Sequence, residues 1–257
     1  MKAQVYKDPR PASHFDRFHE RARRRKPDWM YEVVRLVLTP YLLIVHRARC
    51  IGSDLVPFSG PVIVAPNHFS FLDHFFVAVF IRRFVRFMAK SQLFNGGPMQ
   101  FVYFHGGVFP VRRGQRDEEG FITAETILAK GGLVTIYPEA GRSRTGKLAE
   151  RAKPGVGRLA LDSGAPVVPV AIHGTLKARN WKRLQFPKVT ILFGEPMLFP
   201  KEAGASRERQ QEVADEVFEA VKGLYAQLDR DGRKGVVQRD RRERRAARRG
   251  ARGAAAA

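Results

Sequence analysis

Residues 62–73 read Val62-Ile63-Val64-Ala65-Pro66-Asn67-His68-Phe69-Ser70-Phe71-Leu72-Asp73. The apolar run at the front has the length and bulk of a buried strand, and Pro66 and Asn67 end it. His68 follows at once, so its imidazole stands where a strand delivers its last residue to a site. A five-residue step from His68 to Asp73 turns about 140° on one continuous helix. The two side chains therefore meet only if His68 lies in the turn and Asp73 in the first helical turn beyond it. In that geometry the carboxylate accepts from one ring nitrogen and fixes tautomer and orientation, while the other nitrogen stays free to take a proton. Two plainer readings stand beside this one. Asn67 or Ser70 caps a helix and His68 is a satisfied loop histidine, or the adjoining His74 helps to hold a metal. Neither a cysteine pair nor an HExxH spacing supports a metal.

Outward from this stretch, strands and helices alternate. Short apolar runs at 61–65, 85–89, 133–137, 167–172 and 189–193 read as strands, as does the run that ends in Arg112-Arg113 after Gly106-Gly107. Helices are expected from Phe75 to Ile81, from Glu118 to Lys130, from an opening at Lys153-Pro154-Gly155 through about Ser163-Gly164, and after Ser206 as a cap. Pro169 inside its strand predicts an edge or a bulge. This alternation implies crossover connections and an α/β fold, with a mostly parallel or mixed sheet and helices on both faces. Ligands in such sheets sit at the carboxyl ends of strands, and His68, Arg113 and Glu139 each lie just past such an end. Three strands thus bring a base, a cation and a carboxylate to one edge.

The flanks differ in character. Residues 1–27 are rich in arginine and read as a poorly packed basic arm. Residues 28–50 contain an amphipathic helix in which Asp28, Glu32, Arg35 and Thr39 form a narrow polar stripe; Trp29, Val33, Leu36, Val37, Tyr41 and Ile44 cover the other side. Its early charges and Pro40 argue against a membrane span. A helix lying in the membrane interface, with arginines on both flanks, and a helix packed in the core are both open. Residues 51–229 make the α/β domain. From Arg230 to residue 257 the chain is arginine-rich without apolar periodicity and reads as a disordered tail.

The 257 residues carry a net charge of +21, which favours polyanionic partners: nucleic acid, an anionic membrane surface or phosphorylated small molecules. No nucleic-acid motif appears, and the charge is concentrated in the flanking segments, so nucleic acid is not the expected partner. The single cysteine, Cys50, permits no internal disulfide and fits cytoplasmic exposure.

Four blocks, in order, resemble the glycerolipid acyltransferase family. Asn67-His68-Phe69-Ser70-Phe71-Leu72-Asp73 matches its N-H-x-S-x-x-D block. Gly107-Val108-Phe109-Pro110-Val111-Arg112-Arg113 is similar to G-x-x-F-I-D-R, Tyr137-Pro138-Glu139-Ala140-Gly141-Arg142-Ser143 to F-P-E-G-T-R-S, and Val168-Pro169-Val170 to an apolar V-P-V run. Ala140-Gly141 replaces the usual Gly-Thr, which bears on the fit of the acceptor headgroup. The resemblance covers about residues 46–200. It implies acyl transfer from acyl-CoA or acyl carrier protein to a lysophospholipid hydroxyl, foremost that of 1-acylglycerol-3-phosphate, with no cofactor and no metal. It further implies His68 as general base, Asp73 orienting it, Arg113 and Arg142 holding the acceptor phosphate, and Glu139 ordering the site. The expected setting is peripheral, on the cytoplasmic face of the cell membrane.

Overall fold

The computed structural model describes residues 8–114, 117–143, 145–178 and 184–254, with side chains through residue 246. Seven strands form one sheet: β1 (Arg49–Ile51), β2 (Val62–Pro66), β3 (Val85–Lys90), β4 (Phe109–Val111), β5 (Leu133–Thr135), β6 (Val167–His173) and β7 (Thr190–Phe193). Their order is β1-β7-β6-β2-β5-β3-β4. All neighbours run parallel except β6 and β7, so the sheet is mixed. β1 has no counterpart in the expectations above; with three residues and an exposed arginine it carries too little apolar pattern to stand out.

The helices are α1 (Asp16–Arg24), α2 (Trp29–Ile44), α3 (Asp73–Phe80), α4 (Gly97–His105), α5 (Glu118–Ala129), α6 (Gly155–Ser163), α7 (Thr175–Ala178) and α8 (Arg207–Ala254). Alternation along β2 divides the core, because successive side chains point to opposite faces. Ile63 and Ala65 pack with Leu128, Leu159, Val217 and Phe218 of α5, α6 and α8. Val62 and Val64 pack with Leu42 of α2 and Phe76 and Val77 of α3. Helices therefore cover both faces. α6 and α8 cross so closely that a Cβ at Gly157 would stand 1.9 Å from the Gln210 carbonyl oxygen, so this contact requires glycine.

Pro169 does not mark an edge, since β6 lies between β2 and β7. The bulge alternative holds, on the neighbouring segment. Val170 faces Phe193 and Val167 bridges to Met197, which leaves one extra residue on the β7 side opposite Pro169. The Pro169 carbonyl accepts from the Gly194 N–H at 2.9 Å. Its nitrogen points the same way, to where the ladder is already interrupted and no donor is needed.

Both flanks need correction. In the basic arm, Phe15, Phe18 and Ala22 are buried, Phe18 meets Phe94 and Phe104 edge to face, and buried His19 bonds Thr123 Oγ1 at 2.9 Å. Of its arginines, Arg17, Arg24 and Arg25 face outward, whereas Arg21 and Arg23 reach into the domain and donate to the Phe104 carbonyl and to Thr123 Oγ1. The tail is not without structure through residue 254: Gly232, with φ 62 and ψ 173, kinks α8, and the helix resumes beyond it. There Val236 is buried, and Arg233 donates to Thr190 Oγ1 and to the Arg47 and Val189 carbonyls. Arginine and alanine are strong helix formers, which the count of charges obscures.

α2 settles against the domain through Tyr31 and Leu42. Trp29, Val33, Leu36, Val37, Tyr41 and Ile44 remain exposed, Leu36 and Ile44 by 75% and 74%. The helix is thus apolar on its inner side and bare on a second apolar side. Among the described residues no helix is long and apolar enough to cross a membrane.

Candidate active site

His68 lies in the turn after β2, and Asp73 is the first residue of α3. Asn67 sets the turn by bonding β6, not by capping the helix. Its side chain accepts from the Ile172 N–H at 2.7 Å and donates to the Ile172 carbonyl at 3.1 Å. His68 Nδ1 lies 2.9 Å from Asp73 Oδ2. The same oxygen accepts the backbone N–H groups of Phe69 and Ser70, each at 2.7 Å. Asp73 is fully buried and His68 nearly so. A carboxylate oxygen can only accept, so Nδ1 carries the proton and Nε2 presents its lone pair.

Tyr137 supports the ring from its face, stacked on His68 with centroids 4.0 Å apart and planes 23° from parallel. Glu139 holds the loop from behind, accepting the His68 N–H at 2.7 Å and the Ala149 N–H at 3.2 Å. Burial pushes the Glu139 carboxyl up to about 7, against the two backbone donors that favour its charged form. Ser143 N–H donates to the His68 carbonyl at 2.9 Å, so the segment after β5 grips both ends of the His68 peptide unit. Ala140 sits in that segment at φ 51. This is the left-handed region where glycine carries no steric cost, which gives a physical reason for the glycine usual at this place in the third block.

Two cavities meet at this edge, sharing Met88, Arg113 and Tyr137. The first, about 150 Å³, runs beneath α2 and α4 among Val34, Leu38, Phe75, Val79, Phe87 and Val102. His68, Lys90, Arg113 and Arg142 stand at its polar end. The second, about 810 Å³, opens on the other side of the sheet and includes Arg112, Lys153, Arg158 and Arg207 in its walls. The structure therefore brings all five expected residues to one place. It adds Lys90, whose ammonium is pushed down by burial and by Arg142 and Arg113, so three cations share one mouth. It also adds His74, lining the first cavity, where burial first and His68 second push the imidazole down to about 3 and keep it neutral.

Cys50 lies on β1, away from this edge, and burial pushes its thiol up to about 11. Among the described residues no three His, Cys, Asp or Glu side chains gather as a metal site.

A family model described as Acyltransferase matches residues 47–173. The chain is 33% identical over 140 residues to human 1-acyl-sn-glycerol-3-phosphate acyltransferase beta, a match covering 51% of this chain and 48% of that protein. It is 23% identical over 202 residues to the 1-acyl-sn-glycerol-3-phosphate acyltransferase of Bacillus subtilis, covering 78% and 99%. The solved structure of the 1-acyl-sn-glycerophosphate acyltransferase PlsC from Thermotoga maritima superposes with a TM-score of 0.56 at 26% identity, over 76% of this chain and 83% of that one. Against the human and plant relatives the matched part spans about half of their length or less. The family model spans the stretch that holds three strand ends and the His68–Asp73 pair, and the likeness to a solved member extends beyond it. The chain belongs to the glycerolipid acyltransferase family.

Proposed function

We propose that the protein transfers a fatty acyl group from a thioester donor, acyl-CoA or acyl carrier protein, to the free hydroxyl of 1-acylglycerol-3-phosphate, giving phosphatidic acid. The observation that carries this reading is the juxtaposition at one mouth of the oriented His68–Asp73 pair, an apolar cavity and three cations. His68 Nε2 takes the proton of the acceptor hydroxyl as its oxygen attacks the thioester carbonyl. Buried Asp73 stabilises the imidazolium so formed. Collapse of the tetrahedral adduct breaks the carbon–sulfur bond, and the imidazolium returns its proton to the leaving thiolate. No acyl-enzyme is needed, in keeping with the position and raised pKa of Cys50.

In this reading the narrow cavity takes an acyl chain, while Lys90, Arg113 and Arg142 hold the acceptor phosphate. The wider cavity, whose walls carry Arg112, Lys153 and Arg207 as well as Asp117 and the Arg158–Glu118 pair, takes the phosphorylated arm of the donor in this reading. Glu139, with both oxygens engaged by backbone N–H groups, acts by positioning the His68 turn.

The test is an acceptor comparison. Arg113→Ala and Arg142→Ala each remove hydrogen bonds to a charged group worth roughly 1.5–3 kcal/mol, so kcat/KM for lysophosphatidate should fall about 10- to 150-fold. An uncharged monoacylglycerol should lose far less. Lysine at either place restores charge without the planar fork, so its degree of rescue separates point-charge attraction from a bidentate clamp. Equal losses on both acceptors, or a wild-type preference for the neutral one, would overturn the phosphate assignment and direct attention to Ala140-Gly141.

The bare face of α2 supports peripheral docking in the membrane interface; that the domain stands on the cytoplasmic side is part of the same proposal. At 16 residues the helix is about 24 Å long, short of the roughly 30 Å hydrocarbon core. Leu36→Asp and Ile44→Asp each forfeit the burial of a large apolar side chain, about 1.5–3 kcal/mol. Partition onto vesicles should drop at least tenfold, with turnover of a soluble short-chain acceptor unchanged. Undiminished partition in both variants would place the docking face elsewhere.

A further inference from the structure

At the opposite edge of the sheet from His68, where β3 and β5 begin, lies a cavity of about 340 Å³. Arg25, Lys26, Arg83, Arg86 and Lys130 line it, and no acidic residue does among the described residues. Arg23 and Arg24, also in its wall, are paired with Glu119 and Glu20. Arg83 is held by carbonyls alone, donating to Pro57, Gly60 and Gly131 at 2.8, 2.6 and 2.6 Å. Arg86 is only 6% exposed. It donates to the Arg25 carbonyl, while its Nη1 is buried with no hydrogen-bond partner among the described residues. Gly107, at φ +72, makes room for this guanidinium, since a Cβ there would stand 2.6 Å from Nη1.

A buried charge is ordinarily paired, because desolvation without compensation is costly. Here two guanidinium groups are fixed by neutral carbonyls and three more cations line the same space, while Glu119 and Glu20, outside the lining, are paired with Arg23 and Arg24. Burial, with Arg21 nearby, pushes Arg86 down to about 10, the sense expected of a cation lacking a counter-charge.

We propose that this cavity is a second ligand site, distinct from the catalytic mouth, that binds the phosphate group of an anionic phospholipid. Its position favours a lipid as the carrier. Lys26 and Pro27 in its wall lead directly into α2, and the neighbouring Trp29 and Phe84 are exposed by 60% and 37%. Aromatic side chains of this kind settle at headgroup level, which brings the cavity to the depth of the lipid phosphates when the bare face of α2 is docked. The lipid assignment rests on that docking; the anion assignment does not.

The test compares the full-length wild type with Arg25→Gln/Lys26→Gln/Lys130→Gln, all exposed positions whose change leaves the core intact, and with a charge-matched control in the tail, Arg241→Gln/Arg242→Gln/Arg245→Gln. Binding is measured to phosphatidylcholine vesicles with and without phosphatidylglycerol, and thermal stability with and without inorganic phosphate. Each basic group held at an anionic surface contributes about fivefold, so the cavity variant should lose roughly tenfold or more of its phosphatidylglycerol-dependent affinity, together with the stabilisation by phosphate. The tail variant should keep the phosphate response and lose only about twofold to threefold on vesicles. Equal losses in the two variants would mean a diffuse field and overturn the site. Phosphate stabilisation that depends on the cavity, with no loss on vesicles, would overturn the lipid assignment in favour of a soluble phosphate. Leu36→Asp should weaken vesicle binding in every background while sparing the phosphate response, so a failure of α2 docking is read separately.

Discussion

His68→Ala should lower kcat by about 10²–10⁴-fold, the usual worth of a positioned general base, and leave the protein folded. Truncation removes the ring from its stack on Tyr137 but not the framework that positions it. Asp73 still receives the Phe69 and Ser70 N–H groups, Glu139 still holds the backbone of residue 68, and Asn67 still ties the turn to β6. Thermal unfolding and vesicle partition of the variant should therefore stay close to wild type while turnover collapses. If purified His68→Ala turned over at a near-normal rate, His68 would not be the base.

Asp73→Asn tests a finer point. All three donors converge on Oδ2, and Oδ1 has no hydrogen-bond partner among the described residues. The backbone N–H groups will turn the oxygen of the amide toward themselves, leaving its NH₂ where Oδ1 was. The His68 tautomer is then preserved, and what disappears is the negative charge beside the imidazolium of the transition state. Breaking a buried pair by removing one charge costs about 3–5 kcal/mol. If most of that falls on the transition state, kcat should decline by about 10²–10³-fold with little change in KM. Retention of kcat within about fivefold would show that the charge is not used; a comparable rise in KM would move Asp73 to a role in binding.

Much of the site was legible because the strand ends and the blocks agree. A buried run ending at Pro66-Asn67 must place His68 at a sheet edge, and the spacing to Asp73 required a turn followed by a helix start; both are present. Lys90 escaped notice because it reads as the residue closing a strand. Only the order β5-β3-β4 brings that strand end to the mouth formed by Arg113 and Arg142. Tyr137 stood inside a recognised block without a role, since ring stacking depends on two loops meeting in space. The arginines of the terminal segments mask their packing: Phe15, Phe18 and Ala22 lie at helical spacing, and Val236 is a sparse but sufficient anchor for the end of α8. β1 is set by its partner β7 and not by its own three residues. Arg86 could not have been singled out either, because an unpaired guanidinium is a property of its surroundings.

Mass spectrometry of lipid products decides whether His68 and the cations around it transfer an acyl group to lysophosphatidate. Wild type and His68→Ala should be incubated with acyl-CoA and an equimolar panel of lysolipids. Phosphatidic acid carrying the donor's acyl chain should be the dominant new species with wild type and should fall by at least about 10²-fold with the variant. A different acylated lipid as the main product, or phosphatidic acid formed equally by both proteins, would contradict this assignment.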